Sequence, residues 1–70
     1  MKVFNVFKSD RYWNAEDESR KRGIVRGPVR EPVLQKATER AKREKCSKVV
    51  IYREDGSREY EKQVGMECNE

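Results

Sequence analysis

The sequence predicts a small α+β domain, a small antiparallel sheet packed on one helix in the order β-β-(β)-α-β-β. Three observations carry this. Residues 2–7 (KVFNVF) mix β-branched and aromatic residues, as a strand does. Val33, Leu34, Ala37 and Ala41 fall on one narrow face at helical spacing. An Asp55-Gly56 pair separates two further strand-like segments, the strongest short hairpin signal in the chain.

Taken in order, Lys2 to Phe7 forms the first strand, with Val3, Asn5 and Phe7 on one face and Phe4 and Val6 on the other. Lys8-Ser9-Asp10 is a polar turn. Arg11 to Ala15 pairs back as a second strand, placing Trp13 and Ala15 on one face. Glu16 to Arg22 is charged throughout and reads as a solvated loop or hairpin end, closed by Gly23. Ile24 to Arg26 is a short third strand before Gly27-Pro28.

The helix is expected from Pro32 to Lys45, with Pro32 at its first position, where a missing N–H costs nothing. Lys42, Arg43 and Lys45 suit the negative end of its dipole. Lys48 to Glu54 and Ser57 to Val64 then form a hairpin around a two-residue type I′ turn at Asp55-Gly56. That turn sets Ile51 opposite Tyr60, Val49 opposite Lys62, Val50 opposite Glu61 and Tyr52 opposite Glu59. The expected core is Leu34, Ala37, Ala41, Val49, Ile51, Tyr60 and some of the N-terminal aromatics.

Seventy residues make one domain, expected over 1–65 with 66–70 as a tail. Charged residues are 43% of the chain and hydrophobic ones 34%, so the core is small and stability narrow. Cys46 and Cys68 form no dense framework and no signal-peptide pattern is visible, which favours two free thiols in a reducing cytoplasm, although a Cys46–Cys68 bridge stays open. No apolar run is long enough to cross a bilayer, so no membrane role is expected.

Over roughly residues 2–65 the chain carries a family likeness, best from the second half of the helix to Gly65. A tryptophan-bearing strand (Trp13-Asn14-Ala15) is followed by a helix with Ala37 and Ala41 four apart. An aliphatic strand then enters an Asp-Gly turn (VVIYREDGS, 49–57), and Gly65 follows the last strand. The chain resembles the small bacterial and phage proteins grouped as domain-of-unknown-function family 2188. The resemblance implies a small α+β domain and carries over no catalytic residue, because the family has no assigned activity.

Chemistry is constrained by what is missing. Without histidine there is no imidazole base and no Cys–His pair, and two cysteines alone do not make a zinc site. The carboxylate pairs Glu16/Asp17/Glu18, Glu54/Asp55 and Glu59/Glu61 lie in segments expected to be exposed, whereas a catalytic acid needs burial to shift its pKa. No enzyme activity and no cofactor or metal is expected.

The charge distribution is the functional clue. Residues 20–45 hold ten basic and three acidic side chains, while both flanks are slightly acidic. Arg20, Lys21, Arg22, Arg26, Arg30, Lys36, Arg40 and Arg43 are the candidate nucleic-acid-binding residues, with Tyr12 or Trp13 placed to stack on bases. Lys36, Arg40 and Arg43 form a stripe beside the apolar helix face, rimming the sheet. Arg26 and Arg30 flank the Gly27-Pro28 connector just before the helix N-terminus, where an anion is favoured. The expectation is a basic accessory protein that binds DNA or RNA. Two alternatives stand beside it: solvated cations balanced by Glu31, Glu39 and Glu44, and a protein-interaction module such as a phage or bacterial accessory protein acting on a host protein, with homodimerisation through a sheet edge.

Overall fold

The computed structural model describes residues 2–19, 22–44 and 46–64. Its elements are β1 (Lys2–Ser9), β2 (Tyr12–Asp17), β3 (Arg22–Gly27), α1 (Arg30–Lys42), β4 (Ser47–Tyr52) and β5 (Arg58–Val64). They form one five-stranded sheet in the order β3-β2-β1-β4-β5, with the helix on one face, so the chain is α+β.

The sheet is mixed rather than antiparallel. β1 pairs with β2 antiparallel but with β4 parallel, Phe4 beside Val49 and Val6 beside Ile51. The cause is the connection through α1. A helix carries the chain back across the sheet, so β4 enters in the direction of β3, which two hairpins make the direction of β1 as well. β2, β1 and β4 are the inner strands, and β1 and β4 supply much of the core: Phe4, Val6, Val49 and Ile51 are fully buried against Val33, Ala37 and Ala41 of α1. Phe4 is the largest of these, and truncation of such a side chain to alanine costs about 3–5 kcal/mol.

At its described ends the charged segment after Ala15 is strand rather than loop. Glu16 and Asp17 extend β2, and β3 begins at Arg22. Asp17 is only 6% exposed. Its Oδ1 accepts hydrogen bonds from the Ser19 N–H (3.1 Å) and hydroxyl (2.8 Å), and Oδ2 lies 3.6 Å from Lys2 Nζ. Ser19 is a near neighbour in the chain, whereas Lys2 comes from the adjacent strand β1. β3 carries a bulge, in which Ala15 pairs with Val25 and Glu16 with Gly23, leaving Ile24 as the extra residue.

The helix starts at Arg30, two residues before the expected position, so Pro32 is its third residue rather than its first. That is tolerated for the same reason: no N–H of the first turn has an intrahelical partner. The helix ends at Lys42, with Arg43 as its C-cap. Lys45 lies outside the described residues. The small side chains of Ala37 and Ala41, both fully buried, let the helix axis approach the sheet. The buried Ser47 hydroxyl then ties the helix end to the sheet. It sits among the carbonyls of Ala41, Glu44 (3.2 Å) and Val64 (2.9 Å), donating its single proton to one at a time.

The C-terminal hairpin differs in its turn but keeps most of its register. Gly56 has φ +94°, whereas Asp55 does not enter the left-handed region, so this is not a type I′ turn. The Gly56 N–H donates to Arg53 O (3.0 Å) and the Arg53 N–H to Ser57 O (2.8 Å), which makes a three-residue loop. The Asp55 carboxylate holds that form by accepting from the Ser57 N–H (2.9 Å) and hydroxyl (2.7 Å). One extra loop residue would slip the register, but a bulge after Ile51 absorbs it. Ile51 therefore faces Tyr60, Val50 faces Glu61 and Val49 faces Lys62, as expected, while Tyr52 faces Arg58 instead of Glu59. Tyr60 is 41% exposed rather than part of the core, because β5 is an edge strand with no neighbour on its outer side.

Cys46 is held in a disulfide, and the described residues include no free cysteine, which corrects the expectation of free thiols. Cys68, like Met1, Arg20, Lys21 and residues 65–70, lies outside the described residues. No helix among the described residues is long and apolar enough to cross a membrane.

Candidate nucleic-acid interface

The helix stripe is where the predicted cations meet. Lys36, Arg40 and Arg43 line one groove of ≈ 250 Å³ with Glu39, and its other wall is Ile24 and Val25 of β3. Spacing of i, i+4 and i+7 puts the three on one side of α1, and a helical rise of 1.5 Å per residue spreads them over about 10 Å. β3 supplies the wall because it is an edge strand, where Ile24 and Val25 pack against the core but stay only partly buried.

Their electrostatic setting separates them from the ion-paired cations of the sheet. On the sheet, Lys2 is paired with Glu44 and Asp17, Lys8 with Glu54, and Lys48 and Arg58 with Glu61. Lys36, Arg40 and Arg43 are exposed and make no ion pair with any described residue. The opposite flank of the helix has a larger groove of ≈ 430 Å³, but there Glu31 and Glu39 balance Lys42 and Lys62.

The remaining candidates scatter. Arg26 opposes Asn14 on the sheet face away from the helix, with its guanidinium 4.3 Å from the centre of the Tyr12 ring. Arg30 is the first residue of α1, and its Nη1 donates to Glu59 Oε1 at 2.8 Å while its guanidinium lies 5.7 Å over Trp13. Arg26 and Arg30 therefore do not converge on one anion before the helix. Arg22 is in β3; Arg20 and Lys21 lie outside the described residues. Trp13 is 8% exposed and committed to the core, so of the two stacking candidates only Tyr12, at 39%, is accessible.

Glu54 and Asp55, both exposed, depart from their usual acidity. The hydrogen bond and charge of Lys8 lower Glu54, and hydrogen bonds from Ser57 lower Asp55. A proton donor near neutral pH needs the opposite shift. Among the described residues no group of three or more acidic or cysteine side chains is arranged to hold a metal ion.

What sequence reasoning missed is the neutral part of the groove. Ile24 and Val25 read as part of a short third strand, and the signal of their edge position is non-local. No family model, no curated protein and no solved structure shows a significant match to this chain.

Proposed function

We propose that this chain is a non-enzymatic binding protein that holds a nucleic acid along the basic flank of α1. The observation that carries the reading is that Lys36, Arg40 and Arg43 share one groove without a carboxylate partner among the described residues, while Lys2, Lys8, Lys48 and Arg58 of the sheet are ion-paired. Phosphates bind to clustered cations with release of their counterions, and arginine's planar fork suits them. Glu39 in the same groove keeps the attraction moderate.

Three phosphate contacts set the expected salt dependence. The slope of log K against log salt is about −2 to −3, from about 0.7–0.9 per neutralised phosphate. The test is a salt titration of binding to labelled DNA and RNA, with the triple variant Lys36→Glu, Arg40→Glu, Arg43→Glu for comparison. All three residues are exposed, so the variant keeps its circular dichroism spectrum and loses binding. Undiminished binding by the folded variant, or no binding by the parent protein at low salt, rules the reading out.

A further inference from the structure

β3 is a ridge between two hollows. Ile24 and Val25 line the basic groove on the helix side, and the same two residues line a second hollow of ≈ 270 Å³ with Asn14, Gly23 and Arg26. The first offers cations; the second offers a plane and hydrogen-bonding groups. There the Arg26 guanidinium is stacked on the Tyr12 ring at 4.3 Å, which restrains its rotamers and leaves its donors and its far face to a ligand. Asn14 adds an amide, whose Nδ2 donates to Tyr12 O at 3.1 Å. Gly23 keeps the hollow open, since a Cβ there would meet nothing within 4 Å.

We infer that the ligand is a single strand lying along the β3 edge, its phosphates on Lys36, Arg40 and Arg43 and its bases turned over the edge onto Arg26, Tyr12 and Asn14. This rests on the nucleic-acid reading above and goes beyond it by choosing the strand type. A duplex keeps its bases stacked and paired, so it uses only the helix-side cations. A single strand has free base faces, which arginine planes and aromatic rings accept with little sequence preference. A second copy of this chain is a poor occupant of the same edge, because pairing β3 with β3 sets two sets of like charges side by side.

The experiment compares fluorescence-anisotropy binding of labelled oligothymidylate, the matched oligoadenylate–oligothymidylate duplex and labelled polyglutamate. It uses the parent chain, Tyr12→Ala and Gly23→Val. Valine suits an open strand position, so Gly23→Val keeps the fold while filling the hollow. The expected result is tighter binding of the single strand than of the duplex. Each substitution weakens the single strand about tenfold, the scale of one lost base–aromatic contact, and leaves the duplex unchanged. Equal affinity for single strand and duplex, with both variants behaving as the parent, overturns the single-strand inference and leaves the helix groove as a nucleic-acid site. Polyglutamate bound in preference to either polynucleotide, or no probe bound at all, overturns both.

Discussion

Glu59, the extra residue of the β5 bulge, accepts a hydrogen bond from Arg30 across the structure at 2.8 Å. A bulge turns a side chain out of the alternation of its strand, and here it turns a carboxylate toward the start of α1. The pair joins the first helical residue to the last strand, with both side chains about one-third exposed (31% and 30%) and the guanidinium resting near Trp13. It also removes Arg30 from the cations available to a ligand.

The pair is expected to be stabilising but modest. A double-mutant cycle with Arg30→Ala and Glu59→Ala, read by urea unfolding, should give a coupling of about 0.5–1 kcal/mol. Arg30→Ala alone should cost more than Glu59→Ala, because it also removes the contact with Trp13. A coupling indistinguishable from zero shows that the two charges are independently solvated.

Ser47 is a polar group that a fully buried site keeps for a reason. Ser47→Ala removes the proton shared among the carbonyls of Ala41, Glu44 and Val64, of which Ala41 keeps the Glu44 N–H as a donor. The expected loss is about 1–3 kcal/mol in chemical denaturation, with faster amide exchange at the end of α1. A variant as stable as the parent means that the helix end is held by packing of Ala41 alone.

The hairpin loop should weaken in acid. Lys8 lowers the Glu54 pKa and Ser57 lowers that of Asp55, so the folded state binds fewer protons than the unfolded chain. Their contribution is present above the ordinary carboxylate range of about 4 and is lost as pH falls through the lowered values. Amide exchange at Arg53 and Gly56, whose N–H groups close the loop, should accelerate over that window in the parent and not in Asp55→Asn, Lys8→Ala. Equal acid sensitivity in the double variant places the titration elsewhere.

Much of the fold was legible because its signals are local. The alternation of Phe4 and Val6 with their neighbours, the Trp13/Ala15 face, the spacing of Val33, Ala37 and Ala41, and the pairing of Ile51 with Tyr60 all follow from strand and helix periods. Of the candidate site, the helix stripe was equally legible, since Lys36, Arg40 and Arg43 lie on one side of any helix built from these residues.

The rest depended on partners far along the chain. Asp17 is buried beside Lys2 of the neighbouring strand, and Arg30 is committed because a bulge aims Glu59 at it. The parallel β1–β4 pairing follows from where the crossover helix sets the chain down. By itself the sequence determined which residues share a face, because that depends on a repeat of two or 3.6 residues. Only the tertiary structure decided which charges meet a partner and which stay open to solvent, because ion pairing depends on distance in space and separation along the chain does not set it.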